Sequence, residues 1–257
     1  MNWSRSRTLL IHNWRLLIAD PAPIALQILM PMVMMAFLQG TGRAVLRQAG
    51  FANANGAELV VPGMAVMFAF FGVAFIGTAF FTEHEWGTWQ RLRASRAGSL
   101  EIVMTKILPP AALMLGQLVL LFLVGTLLFG MPIHGSLAGV ALMMLASISL
   151  LVALSMLFVA VAKTVNQLSA LVQMTAMILP GLGGALAPVD VLPDWARLIA
   201  PASPAYWMLQ GFRAVVLEGR GLDATFGPAV ITLAFSAAAA AIAIRMFHVT
   251  DEKVWDL

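Results

Sequence analysis

The chain has 257 residues, 61% of them hydrophobic and only 11% charged, with a mean hydropathy of +0.90; soluble globular domains carry about a quarter of their residues as Asp, Glu, Lys and Arg, so a water-soluble fold is excluded. Lys and Arg number 15 against 12 Asp and Glu, a formal charge of +3, but the basic residues lie beside apolar runs, where they fix orientation in a bilayer, and form no basic stripe with interleaved aromatics of the kind that binds nucleic acid. With no Cys, disulfides, thiolate metal sites and cysteine nucleophiles are excluded as well.

In chain order, residues 2–18 are predicted to form an amphipathic helix, with Trp3, Leu10, Trp14 and Leu17 on one face and Arg5, Thr8, His12 and Arg15 on the other. That pattern suits a helix lying in the headgroup plane among membrane lipids. No small-residue cleavage pattern follows it, so it is read as retained. A span needs roughly 20 apolar residues to cross about 30 Å of hydrocarbon, and charge-free runs then set the layout. Pro21 to Gly42 is the first span, with Pro31 as a tolerated kink, and Leu59 to Phe81 is the second. The charge-free run from Ile107 to Ala162 is too long for one helix, and the turn residues Gly130 to Gly135 divide it into a third and a fourth. Thr164 to Ala187 is the fifth and Ala224 to Ile244 the sixth.

Six spans put both termini on one side. If that side is cytoplasmic, it holds Arg5, Arg7, Arg15, Arg91, Arg93, Arg96, Lys106, Lys163, Arg245 and Lys253, against Arg43, Arg47, Arg197, Arg213 and Arg220 outside. The excess of Lys and Arg in the cytoplasmic flanks supports that orientation. Before the sixth span, Pro193 is placed to open a short helix carrying Trp195, and Ser203 with Pro204 reads as the N-cap and first-turn Pro of a second helix ending near Gly219. Both are too short to span. The expectation is of two helices dipping into or lying on the outer leaflet over 181–219.

The densest charge lies between the second and third spans, in TEHEWGTWQRLRASRAGSLEIVMTK from Thr82 to Lys106. Glu83 and Glu85 precede Arg91, Arg93 and Arg96, the order that complements a helix macrodipole, so a short cytoplasmic helix is predicted within 83–97. Glu85, Gly87, Thr88, Arg91 and Leu92 form an E-x-G-T-x-x-R-L stretch directly after the second span. In the external segment, Gly184, Pro188, Leu192, Pro193 and Trp195 are followed by Ser203, Pro204, Trp207, Phe212 and Arg213.

Together these two motifs resemble type-2 ATP-binding-cassette (ABC) transporter permeases, in particular the membrane subunits of drug and lipid exporters. The resemblance covers nearly the whole chain. It implies a single permease domain over 1–257, all-α and integral to the membrane, with six transmembrane helices, an N-terminal interfacial amphipathic helix, a cytoplasmic coupling helix and two external re-entrant helices. It also implies that Glu83, Glu85, Gly87, Thr88, Arg91, Leu92 and Arg93 couple to an ABC ATP-binding subunit, and that Pro193, Trp195, Pro204, Trp207, Phe212 and Arg213 form an external gate.

No P-loop G-x-x-x-x-G-K-[ST] occurs, so ATP and Mg are expected on a partner subunit, present in two copies, and no cofactor on this chain. His12, His84, His134 and His248 are scattered, and Thr88 stands where a zinc-peptidase motif starting at His84 needs its second His. The predicted spans hold no ionisable residue, which argues against an ion-coupled carrier and an intramembrane enzyme, the rivals from other classes. The most polar mid-span residues, Gln27, Gln117 and Gln173, are candidates for the substrate path or for interhelical hydrogen bonds. The expected protein is therefore an ATP-driven exporter subunit for a hydrophobic or amphiphilic molecule, acting in multidrug or lipid efflux, paired with a second protomer in the bacterial plasma membrane. A polysaccharide or glycolipid exporter is the alternative within the class.

Overall fold

A computed structural model describes residues 3–85 and 98–250, and all regular structure among the described residues is helical. The α-helices are α1 (Trp3–Ala19), α2 (Pro21–Gln48), α3 (Ala57–Phe71), α4 (Val73–Glu85), α5 (Ser99–Leu127), α6 (Leu137–Val161), α7 (Val165–Gly183), α8 (Asp194–Ile199), α9 (Pro204–Val216) and α10 (Leu222–Thr250). The N-terminal helix predicted at 2–18 is α1, and the two short helices predicted before the last span are α8 and α9. Pro193 stands at the N-cap of α8, and Ser203 with Pro204 opens α9. The turn at 130–135 separates α5 from α6.

Among the described residues, five helices are long and apolar enough to cross a membrane: α2, α3 continued by α4, α5, α6 and α10. The fifth predicted span, α7, is a helix of 19 residues but is not one of these five. Gln167, Gln173 and Thr175 dilute its apolar character. It nonetheless packs along the second span: the Leu168 side chain lies where a Cβ on Gly77 would fall, and the Ala185 carbonyl, just past its end, lies where one on Gly63 would.

The spans also begin and end elsewhere than charge-free counting places them. α2 runs on to Gln48 through Arg43 and Arg47, α3 takes in Glu58, and α5 takes in Glu101 and Lys106. Backbone hydrogen bonding, which must be completed inside a membrane, carries these helices past the last uncharged residue.

The second span forms the core. Its apolar window is 67% buried, against 11% for α2 and 22% for α10. α3 packs on α2, α5, α7 and α9, and α4 on α5, α6 and α7. Val61, Met64, Ala65, Val66, Ala69, Phe70 and Ile76 are fully enclosed by these neighbours. Close approach is built on small residues: a Cβ on Gly63 would lie 2.0 Å from the Ala185 carbonyl oxygen, so α3 and the residues just after α7 touch backbone to backbone. The loops at 49–56 and 128–136 and the segment 188–221 gather at one end of the bundle. There Asn55 Nδ2 donates to the Gly130 carbonyl at 2.6 Å, and the backbone N–H of Gly135 donates to Val215 at 3.1 Å. At the other end α1 packs against the start of α5.

Candidate coupling and gate regions

α4 and α5 flank the charged stretch. Glu83 and Glu85 belong to the last turn of α4, while Gly87, Thr88, Arg91, Leu92 and Arg93 fall outside the described residues, as does most of the helix predicted at 83–97. The two arms beside it are joined by a buried cation. Lys106, 2% exposed, donates from Nζ to the Ala79 carbonyl of α4 at 3.0 Å and lies 5.8 Å from the centre of the Phe80 ring. α1 is fastened to the same part of α5: Ser6 Oγ donates to Glu101 Oε1 at 2.5 Å, and Asn13 Nδ2 donates to the Thr105 carbonyl at 3.0 Å. That carbonyl lacks its helical donor because the residue four positions on is Pro109, which has no N–H. Thr105 is 3% exposed and so shut off from water, and a neighbouring helix must provide the donor. Asn13 does so.

The same arrangement recurs deeper in the bundle. Pro31 leaves the Gln27 carbonyl of α2 without a helical donor, and Gln117 of α5 donates to it from Nε2 at 3.3 Å. Gln27 in turn donates from its own Nε2 to the Phe68 carbonyl of α3. Three helices are thus linked through two amides just above the junction of α3 and α4. Gln117 is 3% exposed, and its Oε1 has no hydrogen-bond partner among the described residues. Gln173, by contrast, is exposed on α7 beside Met174 and Met177.

At the other end the predicted gate residues separate into buried and exposed sets. Phe212 is wholly buried, its ring 4.9 Å from that of Phe122, and Pro204 is buried at the first turn of α9. Trp195 on α8 is 65% exposed. Trp207 stacks edge-on against Tyr206 and donates from Nε1 to the Pro201 carbonyl at 2.9 Å, which fixes the link between α8 and α9. Arg213 is bracketed by two carboxylates, Asp190 Oδ2 at 3.4 Å and Glu218 Oε1 at 3.5 Å, and lies over the Phe51 ring. Arg197 donates to the Asp190 carbonyl at 2.7 Å. Beneath this network a shallow cleft is lined by Leu46, Glu58, Leu59, Pro62, Leu209 and Arg213 among others.

Residues 5–217, from α1 to the end of α9, match the sequence model of the family described as ABC-2 type transporter. The chain belongs to the ABC-2 type transporter family. It is also 28% identical over 177 residues to ABC transporter G family member 20 of Dictyostelium discoideum, an alignment covering 67% of this chain and 24% of that protein. The chain therefore spans about a quarter of the length of that relative. Membership makes it a multi-pass membrane component of an ABC transporter.

Several residues that shape this ABC-2 domain are not legible as site residues in the sequence. Glu58, Glu101 and Lys106, which stand just outside the charge-free runs taken as spans, are each more than nine-tenths buried. They lie near helix ends: Glu58 accepts from the backbone N–H groups of Asn55 and Gly56 at the start of α3, as a capping carboxylate does. The signal available in the sequence for the lower cluster was the pair Pro109 and Pro110, which leaves two consecutive carbonyls in need of donors. Among the described residues no three His, Asp or Glu side chains come together as a metal site.

Proposed function

We propose that this chain is the membrane-spanning subunit of an ATP-driven exporter for hydrophobic or amphiphilic molecules of the drug or lipid kind. In this reading the chain crosses a bacterial plasma membrane six times, α7 included, with both termini cytoplasmic. It pairs with a second protomer and with two ATP-binding subunits that carry ATP and Mg. The segment 83–97 is the coupling helix, in which Glu83, Glu85, Gly87, Thr88, Arg91, Leu92 and Arg93 meet the ATP-binding subunit. α8 and α9 are re-entrant, and Pro193, Trp195, Pro204, Trp207, Phe212 and Arg213 form the outer gate. The substrate path is apolar, and Gln173 is the glutamine whose side chain is open to a solute, because Gln27 and Gln117 are turned onto main-chain carbonyls.

The observation that carries the reading is where the charged stretch attaches. It leaves from α4, the lower half of the most deeply buried span, within the range matched to the ABC-2 family. A push delivered there reaches the centre of the bundle, whereas the same push on α2 or α10 would move a peripheral helix. Binding energy at the segment can shift the membrane domain only if the two states differ in contacts there. The test is Arg91→Ala or Glu85→Ala in the assembled complex. Membrane insertion is expected to be intact and substrate-stimulated ATP hydrolysis lost; stimulation equal to wild type would refute the assignment.

A further inference from the structure

The second and third spans each carry a weak point at which a lower portion can bend away from an upper one. In the second it is Gly72, where α3 ends and α4 begins. There the N–H of Phe75 bonds to the Gly72 carbonyl at 3.0 Å, three residues back, a local tightening of the kind found at mid-helix hinges. In the third it is Pro109 and Pro110, which remove two successive helical hydrogen bonds. The side-chain ties fall into two groups about these points. Below them, Lys106 joins α5 to Ala79 of α4, and Ser6 and Asn13 join α1 to Glu101 and Thr105. Above them, Gln27 and Gln117 join α2 and α5 to Phe68 of α3. At the pivot itself, Ser155 of α6 donates to the Val73 carbonyl at 3.2 Å.

We infer that α1, α4 and the first ten residues of α5, Ser99–Leu108, move as one unit, hinged at Gly72 and at Pro109–Pro110, with Lys106 as the positioning residue that makes the two arms travel together. This rests on the reading of 83–97 as the segment that receives the motor's push. The upper portion, α2 with α3 and the rest of α5, stays fixed through the two glutamines. A rigid span would transmit a push along its axis; a span broken at Gly72 converts it into a tilt of the half facing the loop. The buried ammonium of Lys106 is costly in hydrocarbon unless paired, and the carbonyl it engages belongs to the opposite arm. Separating the arms would leave that charge without its Ala79 acceptor.

The absence of Cys allows paired cysteines to be introduced and spin-labelled in the complex with its ATP-binding subunits, in lipid nanodiscs. Leu16 with Met104 lies within the moving unit; Met104 with Phe37 runs between it and α2, and all three positions are exposed. Between the nucleotide-free and ATP-trapped states the first distance is expected to stay constant and the second to change. A third pair, Met104 with the half-buried Thr82 of α4, is expected to stay constant in the wild type. Lys106→Met is expected to make it nucleotide-dependent while the α1 to α5 distance, held by Ser6 and Asn13, stays constant, and to lower transport about tenfold, the scale of one coupling contact, with Lys106→Arg restoring most of it. Should Lys106→Met fail to assemble, Pro109→Ala/Pro110→Ala, which returns two backbone donors and stiffens α5, is expected to shrink the change in the Met104 to Phe37 distance. A nucleotide-dependent Leu16 to Met104 distance in the wild type, or two constant distances in a complex that hydrolyses ATP and transports, overturns the proposal. The coupling reading fails on different data, the response of Arg91→Ala.

Discussion

Asn13 and Gln117 perform the same task at different depths: each supplies a donor to a carbonyl that a proline has stripped of its own. The pairing makes their contributions conditional. Asn13→Leu should destabilise the domain by about 1 kcal/mol, because a buried carbonyl loses its donor. In a Pro109→Ala background, where the backbone N–H returns to Thr105, the same substitution should cost less. A double-mutant cycle read by thermal unfolding in detergent measures this, and equal losses in both backgrounds would remove Pro109 from the explanation. Arg213 belongs to a different regime. Its partners Asp190 and Glu218 are both partly solvated, and exposed ion pairs add little stability. Its contribution is to hold the 188–192 segment over the cleft.

Among the elements, the second span depends on the absence of side chains at its contacts. Gly63→Ala places a methyl against the Ala185 carbonyl, a backbone atom that cannot turn aside. We expect it to force α7 away from α3 and lower the unfolding temperature measurably. Gly116→Ala, in open space on α5, is the matched control. It should be neutral or stabilising by up to about 1 kcal/mol, the helix-propensity gain of Ala over Gly. Equal destabilisation by the two substitutions would show that helix contact at Gly63 is not what matters. α1 is the other element with divided duties. Ser6 and Asn13 face α5, Ile11, Trp14 and Ile18 remain exposed, and Arg7, His12 and Arg15 are exposed around the rest of the helix. That division suits a helix held to its own protein on one side and to headgroups on another.

At the scale of the whole molecule, the arrangement has two chemically distinct ends. One gathers the loops after α2 and α5 with α8 and α9; the other gathers α1, the end of α4 and the start of α5. Single cysteines at exposed Gly50 and Arg220 should therefore react with an impermeant maleimide from outside intact cells, and one at Arg15 only after permeabilisation. Labelling of both ends from the same side would break the six-crossing reading. Composition alone determined that the chain is a membrane protein, because its charge is too sparse for any water-soluble surface. Local rules also determined α1, the turn at 130–135 and the starts of α8 and α9, because capping, proline placement and amphipathic spacing act within a few residues of sequence. Tertiary structure decided the rest. Which helix becomes the core, that α7 packs along the second span despite its polarity, and that Glu101, Lys106 and Gln117 are buried all depend on neighbours distant in sequence. A carbonyl freed by proline tells only that a donor must come, and packing alone selects the helix that brings it.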